Sequence, residues 1–161
     1  GLLLGSEGSG PGPGDGARAH VADKKRKEID LRFQQGVVML HAKEYDHALT
    51  AFHRVIELAP QMPEAYVNAG FAMLGKGEFQ AAADFFDEAT NLRRDQINAY
   101  FGLALALDGL GNRHGAVEAM RTFLHRASPD DPYRPKAAAA IREWQAALAS
   151  SRPTHNPPAK P

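Results

Sequence analysis

The sequence of 161 residues predicts an all-α fold on three observations. No run alternates apolar and polar residues as a half-buried strand would. Apolar side chains recur instead at helical spacing through the middle of the chain, from Val38, Leu40 and Ala48 to Phe52 and Ile56. The middle also repeats itself. Gly36, Gly70 and Ala104 are 34 residues apart, and so are Ala48, Ala82 and Ala116, then Phe52, Phe86 and Met120, then Met39, Met73 and Leu107. Four columns in one register define three copies of a unit.

Residues 5–16 are almost entirely glycine, serine and proline with two acids, and such a composition buries too little apolar surface to offset its ordering entropy. Residues 1–21 are therefore expected to form a disordered tether. The chain opens GLLLG without a methionine, and Leu2–Leu4 read as the stump of a signal or anchor segment, or as a fragment of a cloning linker. Residues 22–149 should hold all the regular structure. Turn signals fall inside each copy (HAKEYD, GKGEFQ, GLGNRH) and again between copies (APQMP, RRDQ, ASPDDP), so each copy is two helices. The expected helices are 28–42 and 45–59, 63–75 and 79–92, 97–109 and 113–126, in repeats of about 29–62, 63–96 and 97–130. Glycine within the first helix costs roughly 1 kcal/mol relative to alanine. Close approach to the second helix, with bulk from the Phe52 column beside it, is what offsets that cost. Pro63 suits a first-turn position. A seventh helix should follow Pro135 over residues 135–149, with Ala139, Trp144 and Leu148 on its apolar side and a polar opposite face, as the cap of a repeat stack requires. Residues 150–161, rich in proline, are expected to be a disordered tail.

The 19 basic and 19 acidic residues cancel, so no net field draws nucleic acid or an acidic membrane to the whole chain. There is no cysteine, which excludes disulfides and thiolate chemistry. No run of about 18 apolar residues could cross a bilayer. The one dense basic cluster, Lys24 to Lys27, is flanked by Asp23, Glu28 and Asp30 and reads as a solvated helix start rather than a phosphate site. The seven histidines show no metal spacing, and His41, Glu44 and His47 straddle a turn. No catalytic serine elbow, P-loop or dinucleotide glycine pattern occurs, and Asp130 and Asp131 lie in a proline-rich turn. These features imply no enzyme, cofactor, metal or nucleic-acid partner.

The columns resemble the tetratricopeptide repeat, whose pattern is W-x2-L-G-x2-Y, then A-x3-F, then P. The first copy has Gly36, Met39, Ala48, Phe52 and Pro60, but Arg32 and Gln35 stand where an aromatic and a leucine are usual. The second has Tyr66, Ala69, Gly70, Met73, Ala82 and Phe86, with Arg94 in place of the closing proline. The third has Tyr100, Leu103, Ala104, Leu107, Ala116 and Met120, with Pro129 one place late. The resemblance implies a right-handed α-solenoid of three helix pairs plus a C-terminal capping helix, whose first helices line a concave groove that binds segments of other proteins.

By that resemblance the groove is lined by Asp30, Phe33, Val37, Leu40 and His41 in the first repeat. Glu64, Val67, Asn68, Phe71 and Leu74 follow in the second, then Asn98, Phe101, Leu105 and Asp108 in the third. About half of this stripe is expected to be shared with the interhelix core. The remainder makes an apolar trough flanked by acids, suited to an amphipathic helix or apolar peptide of a partner protein. A subset of the family clamps chaperone C-termini with lysines, asparagines and an arginine. The matching positions here are Phe33, Val37, Asn68, Asn98 and Gly102, and Asn68 alone fits. The expected role is an adaptor supporting assembly of a larger complex. The alternative is a self-associating scaffold, joined through its terminal repeats or through Leu2–Leu4. A missing upstream anchor would be its one link to a membrane, and an envelope location is favoured over a cytoplasmic one.

Overall fold

In the computed structural model, residues 14–151 are described. The leucine run and the C-terminal tail expected to be disordered lie outside them, Ser150 and Ser151 apart. Seven helices follow one another: α1 (Asp15–His41), α2 (Tyr45–Leu58), α3 (Pro63–Gly75), α4 (Phe79–Leu92), α5 (Ile97–Gly109), α6 (Arg113–Arg126) and α7 (Arg134–Ser150). Among the described residues there is no strand. Each odd helix packs on the even helix after it, each pair packs on the next, and the first helices α1, α3 and α5 also touch in sequence. This is a solenoid of three helix pairs, closed by α7 against α6.

The helices from α2 to α6 match their expected ranges to within a residue, because each is bracketed by turn chemistry that acts locally. Three turns share one geometry. The N–H groups of Lys43 and Glu44 donate to the carbonyls of Leu40 and Met39, and Gly77 with Glu78 and Gly111 with Asn112 repeat the pattern. This double bond closes the helix around a residue in the left-handed region. Gly77 and Gly111 sit there at φ 75° and 81°, while Lys43 adopts φ 61° with a side chain. Pro63 occupies the first helical position, as expected.

Two expectations are corrected. Residues 15–21, assigned to a disordered tether, are the start of α1, which begins thirteen residues before position 28. Beyond Gly16 the segment has no glycine or proline until Gly36, and Asp23 pairs with Arg26 at 2.7 Å and Lys27 at 3.1 Å along the exposed helix. Local propensity is enough to carry the helix outward. In α7, Ala139 is exposed, whereas Ala137 and Trp144 are buried and Ala140, Ile141 and Leu148 pack around them.

The glycine columns meet the aromatic ones. A Cβ placed on Gly36 would lie 2.6 Å from the Phe52 ring, and one on Gly70 would lie 2.7 Å from Phe86. Both rings are fully buried. In the third pair Ala104 replaces glycine and Met120 replaces phenylalanine, inside the same buried cluster. The added methyl is matched by a narrower, more adaptable side chain.

The ends of the stack explain the departures from the family pattern. Tyr66 donates its hydroxyl to the Pro60 carbonyl at 2.8 Å, and Tyr100 donates to the Arg94 carbonyl at 3.2 Å. The acceptor is backbone, so Arg94 serves in place of proline. Arg134 stands 34 residues after Tyr100 and donates to the carbonyls of Leu124 (2.7 Å) and Ala127 (3.2 Å). Helix α7 is therefore a fourth first helix. In the first repeat no preceding turn offers a carbonyl, and Arg32 donates to Gln35 instead at 3.0 Å.

Ion pairs join neighbouring helices at the surface: Glu28 with Arg54 at 2.9 Å between α1 and α2, and Asp46 with Lys76 at 2.7 Å between α2 and the turn after α3. Hydrogen bonding to Arg54 holds the Glu28 carboxyl below its usual range, and hydrogen bonding to Lys76 does the same for Asp46. A carboxylate so lowered stabilises the fold above its unfolded pKa. That contribution drains away as pH falls through the lowered folded value.

Gly36→Ala should lower the unfolding free energy by about 1–2 kcal/mol, because overpacking against Phe52 outweighs the gain of roughly 1 kcal/mol in helix propensity. A more stable variant in urea titration would show that Phe52 has room to move. Lys43→Gly should raise stability by about 0.5–1 kcal/mol by relieving the left-handed conformation, net of unfolded-state entropy. Asp46→Asn should melt earlier than the wild type at neutral pH, with the gap closing in strong acid and in high salt. A gap independent of pH would assign the effect to something other than the ion pair.

Candidate functional site

Three edge-to-face aromatic pairs, one per repeat, prop side chains toward the face formed by the first helices. Phe33 meets Phe52 with centroids 5.7 Å apart, Phe71 meets Phe86 at 5.0 Å, and Phe101 meets Phe123 at 5.3 Å. Each joins a first-helix residue to the core of its own pair, which fixes the ring's angle.

Between α1, α3 and α5 lies a cavity of about 480 Å³. Leu40 and His41 come from α1, Asn68 and Phe71 from α3, and Asn98 and Phe101 from α5. These six of the expected groove residues are brought together. Four further residues close the cavity: Phe123 from α6, and Asp131, Pro132 and Tyr133 from the α6–α7 turn. The turn is built by its own bonds. Asp131 Oδ1 accepts from the Tyr133 N–H at 2.8 Å, the Asp131 N–H donates to the Ser128 carbonyl, and the Arg134 N–H donates to the Asp131 carbonyl. The Tyr133 ring stacks at a tilt on Phe101, 5.2 Å between centroids.

A second hollow of about 350 Å³ joins Phe33 and Glu64 with Ile29, Asp30, Gln34 and Met62 near the starts of α1 and α3. Val37, Val67, Leu74, Leu105 and Asp108 line neither cavity. Val67 is wholly buried, and Val37, Leu74 and Leu105 pack against the core clusters, so the share of the stripe that belongs to the core is large. Asp108 faces Arg113 at 3.8 Å and Glu64 faces Arg93 at 3.7 Å, both loose surface pairs. Asn98 Oδ1 accepts from Gln96 at 3.1 Å.

Asp131 and Tyr133 were not among the expected site residues, since a turn rich in proline gives no helical stripe. The 34-residue register carries the signal: continued past Tyr100 it reaches Arg134, and it makes α7 a fourth first helix whose entry turn borders the groove.

A larger hollow, about 730 Å³, lies at the other end, where Arg32, Gln35 and Met39 of α1 meet Thr50, Ala51 and Arg54 of α2. Those α1 positions are the ones that in later repeats meet the pair before. The Arg32 Nε is buried there without a partner. Among the described residues no group of three or more histidine or acidic side chains could hold a metal ion, and no helix is long and apolar enough to cross a membrane.

Residues 39–107 match the family described as Tetratricopeptide repeat. The small glutamine-rich tetratricopeptide repeat-containing protein 2 of Mycosarcoma maydis is 29% identical over 117 residues, covering 73% of this chain and 33% of that protein. The chain thus spans about a third of the length of that relative. Among solved structures, the Sgt2 TPR domain from Aspergillus fumigatus superposes with a TM-score of 0.72 at 21% identity, over 83% of this chain and 87% of that one. The first TPR of Spaghetti (RPAP3) bound to the HSP90 peptide SRMEEVD gives 0.70 at 20% identity, over 76% and 94%. With the repeat columns, the stacked helix pairs and these matches together, residues 39–107 resemble the tetratricopeptide repeat in sequence, and the stack has the fold of tetratricopeptide repeat domains.

Proposed function

We propose that the chain is a non-catalytic adaptor that binds an amphipathic helix or apolar peptide of a partner protein between its first helices, and so supports assembly of a larger complex. One observation carries this reading: a cavity of about 480 Å³ drawing residues from all three repeats, with an aromatic floor, an amide rim and one end walled by a hydrogen-bonded turn. Such a site is formed before its ligand arrives, which limits the ordering cost of binding. The acidic chaperone tail bound by the Spaghetti (RPAP3) domain is not the expected ligand here, because Phe33, Val37 and Gly102 offer no charge or amide to a carboxylate.

A second reading, self-association through terminal repeats, draws on Leu31 and Val38, which are 55% and 61% exposed on α1 within a turn of Gln35. Light scattering separates the two: Leu31→Ser with Val38→Ser should leave the mass of the adaptor unchanged and lower that of a scaffold.

Phe71→Glu is a poor test of the groove, since Phe71 is half-buried and edge-on to Phe86. Tyr133 and Asn98 are exposed and cleaner. Affinity co-purification from the native host with the double variant Tyr133→Ala and Asn98→Ala should lose the wild-type partner by about tenfold, as truncating central contacts does. Equal recovery by both baits, with helicity unchanged, would overturn the groove reading.

A further inference from the structure

The lining of the groove specifies more than an apolar occupant. No lysine or arginine lines either cavity between the first helices, whereas Asp131 closes one and Asp30 with Glu64 borders the other. Among the described residues Asp131 and Asp30 make no ion pair. The carboxylate of Asp131 takes one backbone bond, from Tyr133 at 2.8 Å, and no other. Two arginines close to Asp131 in the chain are committed elsewhere. Arg134 donates to the carbonyls of Leu124 and Ala127, and Arg126 lies over the Tyr100 ring at 5.5 Å and donates to Arg94. With Asp131 in the cavity lining stands the half-exposed Tyr133 ring, backed by the buried Phe101 at 5.2 Å between centroids.

A carboxylate next to an exposed aromatic ring, with no lysine or arginine paired to it, attracts a positive group twice over: by charge, and by the quadrupole of the ring. An acidic segment would meet like charge, with the amides of Asn68 and Asn98 and the His41 ring as its donors and no lysine or arginine. Because the chain is neutral overall, the preference is local to this groove.

We propose that the groove takes a protein segment carrying a lysine or arginine beside its apolar anchors, the cation lying against Asp131 and the exposed ring of Tyr133, and that it rejects segments with acidic flanks. This rests on the groove reading above and narrows it. The selectivity is opposite in sign to that of a carboxylate clamp. Asp131 sets it, and Asp30, which makes no ion pair, extends it along the stripe toward the start of α1.

The test uses three fluorescein-labelled peptides of about 12 residues with the same leucine and phenylalanine anchors at helical spacing, flanked by lysine, glutamine or glutamate. Anisotropy titration at low salt should give the lysine probe about tenfold tighter binding than the glutamate probe, with the glutamine probe between, and the spread should shrink as salt rises. Asp131→Asn keeps the acceptor for Tyr133 and should remove most of the lysine advantage over glutamate while leaving circular dichroism unchanged. Lysine and glutamate probes that bind alike, or a preference untouched by Asp131→Asn, would overturn the inference. In that case, loss of all three probes with Tyr133→Ala and Asn98→Ala still upholds the groove. If no probe binds, or if that double variant binds all three as the wild type does, the groove reading falls with it.

Discussion

The close approach of the two helices within each pair is the constraint on which the rest of the molecule depends. Gly36 and Gly70 leave the space that Phe52 and Phe86 fill, and Ala104 with Met120 reaches the same end by a different division of volume. Phe86 shows how far one ring reaches. It lies against Gly70 in its own pair and against Gly102 in the next, and it holds Phe71 edge-on at 5.0 Å. A groove aromatic is thus oriented by a core aromatic, which in turn exists because two backbones lack side chains at that level. The same device joins successive pairs, where Tyr45 lies against Gly75 and Phe79 against Gly109.

A stack held by such contacts must also end. At the C-terminus α7 repeats the first-helix register once more, with the Arg134 guanidinium doing for the α6 carbonyls what Tyr66 and Tyr100 do for the turns before them. Its exposed face carries Lys136, Arg142, Glu143 and Gln145. At the N-terminus Arg32 and Gln35 bond to each other where later repeats bury an aromatic and an apolar residue. Helix α1 then runs on past the stack, with Gly36 as its one buried residue. The groove lies between these ends, and the turn into α7 walls it. Closing the stack and closing the groove are therefore one structural event.

Much of this was legible in the residues. The columns at Gly36, Ala48, Phe52 and Met39 fixed the number of pairs and their order, and turn chemistry fixed α2 to α6 nearly to the residue. The start of α1 was not legible, because a tether's composition says where glycine and proline dominate and not how far a helix extends once they stop. In α7, four consecutive alanines leave the buried face ambiguous by one position, and packing on α6 selected Ala137 over Ala139. Of the expected groove residues, Leu40, His41, Asn68, Phe71, Asn98 and Phe101 meet in one cavity, while Val67 and its aliphatic neighbours serve the core instead.

The sequence by itself determined the periodicity, the helix pairing and the glycine-to-aromatic match, because each is written in spacing along one chain. Only the tertiary structure decided which face of a first helix opens on the cavity and which is lost to its neighbours. That choice depends on the angle at which successive pairs stack, which no single repeat encodes. It also brought Asp131 and Tyr133, from a turn without periodicity, against Phe101, and left Asp131 without a cation. The charge of the groove is thus a property of the assembled stack, since it arises where residues far apart in the chain are folded to one place.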